Sequence, residues 1–395
     1  MRPAPSQRPI HIAVVAEMPI GGAFAHAINT FKTAGGFARL GHRVTVMCLP
    51  PVGGDIAGAL RAYGEPALDV RTIAREAAST EDESSRLFAR RAAHRAAELG
   101  CRCIYGRNFH IAFEGPRIGL PTAIETHAHI DDPRPLLDAV FAATRADAHQ
   151  LDAIVTIAPV LRDHYIARGA DPVRVHLVPD AADPDLFAPP ADHQPAPVRS
   201  RPRVVYSGHL YDYKGIPTIL RAAALAPDID WVLVGGTAAD VERTRTEARD
   251  IGNVRILGHV PHVEVPPHLW DADVLVLPPS ALHPSARWTS PVKLAEYLWA
   301  ARPIAASRIP GLENWVVEPA VAWFTPDDPS AMVERIRTLL AETPATRALR
   351  RAAQRDAAER FTYAGRAATI LEAMGMPQRP ASAPPTPLSA TSSAR

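Results

Sequence analysis

The chain has 395 residues, 47% of them apolar, with 43 basic and 42 acidic side chains and a formal net charge of +1. That length and apolar content suit two ordinary domains with real cores. The charge balance excludes any bulk electrostatic drive toward nucleic acid, and no apolar run reaches the length of a membrane span.

Residues 1–8 read as a polar lead-in with prolines. Ile10–Ala16 is a short apolar run of the kind buried in a parallel sheet. After the loop MPIGGAF, residues 25–40 have the pattern of a helix, closed by Gly41. Further strands are predicted at 43–49, 101–106, 121–126, 151–158 and 173–179, with helical patterns between them. Strand–helix alternation of this sort predicts a doubly wound parallel sheet over residues 9–183.

Residues 184–202 (PDLFAPPADHQPAPVRSRP) carry six prolines and no strand or helix period, which predicts an extended linker. The alternation then restarts over 203–375. Strands are predicted at 203–208, 231–236, 254–257, 272–278 and 303–307, and closing helices at 330–342, 345–360 and 362–374. The last of these helices is a candidate to pack back on the first domain. Residues 376–395 are rich in Pro, Ser and Ala, and disorder is expected there. In open parallel sheets ligands bind outside the carboxyl ends of the strands, so the site is expected there, in a cleft between two such domains.

Two residue classes are scarce. The cysteines are Cys48, Cys101 and Cys103; with no second pair, Cys101 and Cys103 read as core thiols on a strand and not as zinc ligands. Few cysteines and no secretory leader lead us to expect a reducing cytoplasm. Of the 43 basic residues only Lys32, Lys214 and Lys293 are lysines. A general preference for arginine explains the rest but not these three, and a lysine gives a compact, rotatable ammonium where arginine gives a planar fork.

Two segments put lysines at strand ends. In VVYSGHLYDYKGIPTIL, His209 and Lys214 lie in the loop between a strand and a helix opened by Gly215 and Pro217, within reach of an anion. In TSPVKLAEYLWAARPIAAS, Ser290 is a candidate helix cap and Pro291 suits the first helical position, with Val292 behind it. Lys293 and Glu296 follow on one helical face. They read either as a surface ion pair or as a site where Glu296 accepts from a ribose diol.

These segments resemble the group 1, or family 4, glycosyltransferases of the GT-B fold, in particular members with a Ser-Pro-x-Lys-Leu-x-Glu-Tyr helix. The likeness runs from about Ile10 to about Met374. It rests on YSGHLYDYKG, WVLVGG, ILGHV, ADVLVLPPS and SPVKLAEYLWAARPIAAS in order, and less specifically on the GG loop, HAINTFKTAGGFARLGHRVTV, and YGRN followed by ETH. The resemblance implies an α/β fold of two Rossmann-like domains facing across a cleft. It also implies retaining transfer of a hexose-type sugar from a nucleotide-diphosphate donor, with no obligatory metal and no cofactor beyond that co-substrate. By the same resemblance Lys214 binds the diphosphate, Glu296 the ribose, Gly21 and Gly22 close over the diphosphate, and His127 faces the donor sugar. Gly258 and Val260 lie where the base is received, and His209, Gly236, Ser290, Pro291, Val292 and Lys293 complete the donor set.

The chain departs from the family pattern twice. His209 stands where an arginine usually precedes the phosphate lysine, shifting diphosphate neutralisation toward Lys293 or Arg287. Trp288 stands where the first glutamate of a paired motif would be, and residues 281–292 contain no acid. Charge developing on a leaving diphosphate is stabilised by cations and helix-start amides. No carboxylate pair of the glycosidase kind is apparent, so the expected route is front-face, with the leaving phosphate taking the acceptor proton.

Smaller signals have two readings each. His26, Asn29 and Lys32 recur at helical spacing behind the glycine loop and are acceptor-side candidates or structural. Arg107 and Asn108 either line the acceptor side or cap the next helix. Asp271-x-Asp273 reads as a strand-entry turn and not as a metal motif. Ser79 and Asp82 read as a capping box. The arginines that follow suit the helix dipole, or a peripheral contact with an anionic membrane at its inner face, where a lipid-linked acceptor would wait. The acceptor is a saccharide, a lipid-linked molecule or a small molecule, and the oligomeric state is open. A nucleotide-sugar epimerase and a non-catalytic sugar-nucleotide binder are the alternatives on this fold.

Overall fold

The computed structural model describes residues 9–21, 25–51, 53–193, 199–289 and 292–376. The lead-in 1–8, Gly22, Ser290, Pro291 and residues 377–395 of the expected tail lie outside them. Packing divides the chain into two units: one runs to Asp180 and takes up the chain again from Thr362, the other runs from Ala181 to Phe361.

The first unit begins with β1 (His11–Pro19), α1 (Ala25–Arg39), β2 (Arg43–Leu49), α2 (Ile56–Tyr63), β3 (Asp69–Thr72) and α3 (Glu81–Glu98). It continues with β4 (Cys103–Gly106), α4 (Ile111–Arg117), β5 (Thr122–Glu125), α5 (Pro135–Ala143), β6 (Ala153–Thr156), α6 (Pro159–Ala167) and β7 (Val175–Leu177). All paired strands are parallel, in the order β3-β2-β1-β4-β5-β6-β7. The chain therefore reverses its direction of travel across the sheet between β1 and β4. β1 is buried over most of its length because it pairs on both sides, Ile12 lying beside Val44 and Cys103. Cys101 and Cys103 are buried free thiols, Cys103 opening β4 and Cys101 lying two residues before it rather than on the strand. Burial pushes them up, Cys103 to about 12 and Cys101 to about 11, so both are inert at neutral pH.

The second unit opens with α7 (Pro184–Phe187), β8 (Arg203–Ser207), α8 (Ile216–Leu225), β9 (Asp230–Val234), α9 (Ala238–Glu247), β10 (Val254–Gly258) and α10 (Val265–Trp270). There follow β11 (Val274–Leu277), α11 (Val292–Ala300), β12 (Ile304–Ser307), α12 (Pro310–Glu313), β13 (Ala322–Phe324), α13 (Pro329–Leu340) and α14 (Pro344–Ala358). The order β10-β9-β8-β11-β12-β13 reverses between β8 and β11. Each sheet thus has one switch point, beside its first strand, where an open α/β sheet leaves a crevice. Its core gathers the inner faces of these strands with Ile216, Ile219, Met332 and Ile336 from the flanking helices.

The final helix, α15 (Tyr363–Ala373), belongs to the first unit. Ala367, Ile370, Leu371 and Met374 enter its core beside Phe31, Ala34 and Phe37 of α1. Gly36 permits the contact: a Cβ there would stand 2.2 Å from the Tyr363 carbonyl oxygen.

Several expectations are corrected. The connector over 184–202 is not extended at its start: Asp183 caps a helical turn at Pro184–Phe187, Phe187 is fully buried, and its carbonyl accepts Trp270 Nε1–H at 2.8 Å. Proline at the first helical position favours that turn. The cap of α3 is Thr80, accepting from Glu83 N at 3.1 Å, not Ser79, because Ser79 instead binds the Glu83 carboxylate. The strands β3 and β13 lie outside the segments that the sequence predicts as strands. Asp271 and Asp273 do sit at strand entry, with Asp273 Oδ2 accepting from Arg203 N at 2.7 Å.

Candidate functional site

In the second unit the chain leaves β8 at Ser207 through Gly208, whose φ of 141° and tight surroundings suit glycine: a Cβ would meet Lys293 Cε and the Tyr206 hydroxyl at 3.0 Å each. A short turn at Asp212–Lys214 follows, and Gly215 (φ 86°) opens α8. At Gly215 a Cβ would lie 1.8 Å from the Pro278 carbonyl oxygen, so this loop packs directly on the one after β11. Ser280 N donates to Tyr213 O at 3.0 Å, tying the same two loops. Lys214 is thereby fixed at the switch point of its own sheet.

The Lys214 ammonium lies 5.0 Å over the Tyr213 ring, and no carboxylate pairs with it among the described residues. Burial first, and then the charge of Lys293, push its pKa down to about 8. A cation held without a counter-ion is a seat for an anion. His209 is half-buried and stacks on Tyr211 at 4.9 Å and 3°. Burial and then Lys293 lower its pKa, so at neutral pH it offers a neutral ring where the family arginine would offer a charge.

Glu296 is buried, 2% exposed, on the inner face of α11. Its Oε2 accepts from Lys293 Nζ at 3.2 Å and its Oε1 from His262 Nε2–H at 3.1 Å. Burial works to raise its pKa, but Lys293 and His262 overcome that and hold it below the usual range. The exposed ion-pair reading of Lys293 and Glu296 is therefore excluded on the carboxylate's side. α11 is tied to the strand end by Tyr297, whose hydroxyl accepts from Ser207 N at 2.8 Å. Gly236 (φ 90°) follows β9, and the Gly258 carbonyl accepts from Gly235 N at 2.7 Å, with Val260 half-buried just beyond. Trp288 is buried and Arg287 exposed, so of the two only Arg287 is free to meet a ligand. Val292 begins α11, immediately after the undescribed Ser290 and Pro291.

In the first unit a polar cluster gathers at the carboxyl ends of β4 and β5. Glu125 is fully buried. Its Oε1 accepts from His127 Nε2–H at 2.7 Å and Arg107 Nη1 at 3.2 Å, and its Oε2 accepts from the Arg366 guanidinium and the Tyr105 hydroxyl. Burial raises its pKa, yet Arg366 and Arg107 outweigh that and hold it well below the carboxylate range. Arg366 also donates to the carbonyls of Val178 and Pro179 at 2.7 and 2.5 Å. Asp180 is buried, accepts from Asn29 Nδ2 at 2.8 Å, and has its pKa raised by burial.

Ligand atoms of Glu125, His127 and Asp180 lie within 4.8 Å of one another, a spacing compatible with a metal. Two guanidinium groups and a hydroxyl already occupy Glu125, so its charge is balanced by the protein and the set fits a cation poorly.

The sequence candidates in this unit divide. Gly21 has φ 93° and donates its amide to the Tyr63 hydroxyl at 3.0 Å. His26 is exposed on the first turn of α1; partial loss of solvent and then the nearby Arg107 and His127 lower its pKa. Arg107 and His127 remain partly accessible, at 16% and 24% of their side chains. Three acceptor-side candidates have the contacts of their structural reading. Lys32 is fully buried, its ammonium 3.3 Å from Glu65. Asn29 is buried and turned toward Asp180. Asn108 is buried, donates to Glu17 at 2.6 Å, and accepts from His110 N at 2.8 Å, which is a helix-start role. All three lie on faces turned inward, which a spacing pattern cannot separate from the outward face when the residues are polar. Sequence reasoning missed Glu125, Asp180, His262 and Arg366. Glu125 had a signal: strand alternation carries residues two apart to the same side, and it stands two before His127.

No helix among the described residues is long and apolar enough to cross a membrane. Residues 201–342, most of the second unit, match the model of the family described as glycosyl transferases group 1. No curated protein sequence matches the chain significantly. Among solved structures, HepE of Anabaena in complex with UDP and glucose is similar over 93% of this chain and 99% of its own, at 15% identity and a TM-score of 0.71. A glycosyltransferase of Rickettsia africae aligns over 93% and 98%, at 14% identity and a TM-score of 0.71. Sucrose-phosphate synthase of Thermosynechococcus elongatus aligns over 92% and 98%, at 19% identity and a TM-score of 0.67. Two parallel-sheet Rossmann-like domains in tandem are the GT-B fold.

Proposed function

We propose, from the match of residues 201–342 to the group 1 glycosyl transferase model on a GT-B fold, that the chain is a retaining glycosyltransferase that moves a hexose from a nucleotide-diphosphate sugar to a hydroxyl acceptor. The observation that carries this reading is the grouping of Lys214, Lys293 and buried Glu296 around the carboxyl end of β8. Lys214 and Lys293 receive the diphosphate, and Glu296 accepts from the ribose diol. That HepE was solved with UDP and glucose supports uridine diphosphate as the first ligand to test.

In this reading no metal is obligatory, because the two ammonium groups supply the positive charge that the leaving diphosphate needs. The glycosidic C–O bond breaks toward the diphosphate, the acceptor hydroxyl attacks from the same face, and its proton passes to the leaving phosphate oxygen. His127 faces the donor sugar. His209, neutral in the free protein, adds a hydrogen bond but no standing charge.

Titration with uridine, guanosine and adenosine diphosphates, on wild type and Lys214→Ala, tests the donor site. Binding of one of them by wild type, weakened at least roughly tenfold in the variant, supports it. No binding at millimolar concentration sinks it. A second reading, a sugar-nucleotide binder without transfer, draws on Trp288, buried where the family places a glutamate. Nucleotide binding without release of nucleoside diphosphate from any donor would favour it.

A further inference from the structure

Resting on the transfer reading above, we propose that Glu125 and Arg366 are positioning residues that hold His127 as its Nε2–H tautomer, so that Nδ1 is the acceptor it offers to a substrate hydroxyl. An ionised carboxylate only accepts, so the 2.7 Å contact with Glu125 Oε1 requires the proton on His127 Nε2. A guanidinium only donates, so the contact of Arg107 Nη2 with Nδ1 at 3.3 Å requires that nitrogen to be bare. Both neighbours choose the same tautomer.

Arg366 makes this arrangement stable. It comes from α15, the last helix of the chain, and reaches Glu125 across 241 positions of sequence. Its own side chain is 1% exposed and Glu125 is 0% exposed, whereas 24% of the His127 side chain is open. Only His127 of the three can touch a ligand. The Val178 and Pro179 carbonyls orient the guanidinium, and the Tyr105 hydroxyl and Arg366 together take Glu125 Oε2. Oε1 is thereby left to His127 and Arg107. The Arg107 contact to Nδ1, at 3.3 Å, is longer than the contacts to Glu125, and a sugar hydroxyl that donates to Nδ1 can displace it.

The test uses the full chain labelled with ¹⁵N-histidine, the His127 signals being assigned by their loss in His127→Gln. Wild type is expected to show the signature of the Nε2–H tautomer. Glu125→Gln and Arg366→Met are expected to give mixed tautomers, and Arg366→Lys, which keeps the charge, to retain the wild-type pattern at least in part. With uridine diphosphate as probe, affinity should stay within about twofold in all three variants, since that ligand is assigned to the other unit. The rate of transfer from the nucleotide sugar should fall roughly tenfold or more in Glu125→Gln, with partial recovery in Arg366→Lys. An unchanged Nε2–H signal in folded Glu125→Gln overturns the relay, as does an unchanged transfer rate in that variant. If Arg366→Met does not fold, Glu125→Gln and Arg366→Lys decide alone. Failure of wild type to bind uridine diphosphate or transfer sugar would instead count against the transfer reading, and the tautomer signal would still judge the relay.

Discussion

Lys293 Nζ stands 3.2 Å from Glu296 Oε2, one turn earlier on α11, while His262 takes the other carboxylate oxygen at 3.1 Å. A carboxylate 2% exposed with both oxygens engaged is held in one orientation before any ligand arrives. A ribose diol bound there must share or replace those donors. Glu296→Gln removes the charge that makes the acceptor strong and leaves Lys293 without its counter-ion. Hydrogen bonds to a charged group contribute about 1.5–3 kcal/mol. Nucleoside diphosphate affinity should therefore fall between about tenfold and a hundredfold, measured by calorimetry, while the free nucleobase-lacking pyrophosphate should lose far less.

Lys214 gives a pH dependence. In the free protein its pKa is down at about 8, against 10.5 for an ordinary lysine. The unfolded chain therefore binds this proton more tightly, and the group's contribution to stability rises with pH between about 8 and 10.5. Lys214→Met should raise the melting temperature by a few degrees at pH 7, an increment that shrinks toward pH 10. Ligand binding has the opposite sense, because a diphosphate needs the charged ammonium. Wild-type affinity should hold up to about pH 8 and then fall by up to roughly tenfold per unit, whereas Lys214→Met should show no such break.

The Arg366–Glu125 pair is fully buried. Arg366→Met takes the fully buried cation from a carboxylate that then keeps only Arg107 and His127, and breaking such a pair costs about 3–5 kcal/mol. The double variant Glu125→Met with Arg366→Met removes both fully buried charges, leaving only the partly accessible Arg107 without its carboxylate, and should be more stable than Arg366→Met alone. Glu125 has its folded pKa held well down, so its stabilising effect is complete above the ordinary carboxylate range and is lost as pH falls below it. Urea titrations of the three proteins at pH 7 and pH 4 would check both statements, the gap between wild type and Arg366→Met narrowing at the lower pH.

Gly36 is where α1 and α15 meet. A methyl group there would stand 2.2 Å from a backbone oxygen, which cannot swing aside as a flexible side chain would. Gly36→Ala should cost about 1–3 kcal/mol by overpacking despite the better helix propensity of alanine, and differential scanning calorimetry would read it. Uridine diphosphate binding should be unaffected, because the substitution lies in the other unit.

Lys32→Met tests the structural role of that residue. The Lys32 ammonium and Arg39 both pair with Glu65, at 3.3 and 2.7 Å. Because Glu65 keeps Arg39, losing Lys32 should lower the unfolding free energy by about 1–3 kcal/mol and leave the KM for any acceptor unchanged. A raised acceptor KM in a protein of full stability would return Lys32 to the acceptor site.

The sequence by itself determined the alternation of strands and helices, because buried parallel strands are short apolar runs that no polar solvent-facing segment imitates. β1, β2, β8 and β11 were legible for that reason. It also singled out Lys214 and Lys293 by the scarcity of lysine and, with Glu296, by their place near strand ends, and the structure groups the three around the end of β8. β3 and β13 escaped because they are edge strands of four and three residues, and β3 alternates no apolar face. Only the tertiary structure decided which way polar residues on α1 point, since helical spacing sorts a face but not its environment. That is why the sequence left Lys32 and Asn29 with two readings, which their burial and their contacts with Glu65 and Asp180 narrow toward the structural one. Only the tertiary structure, too, could join Arg366 to Glu125. A contact spanning 241 positions depends on α15 returning to the first unit, and that return is fixed by its apolar face and by the space at Gly36, neither of which is local to the residues it brings together.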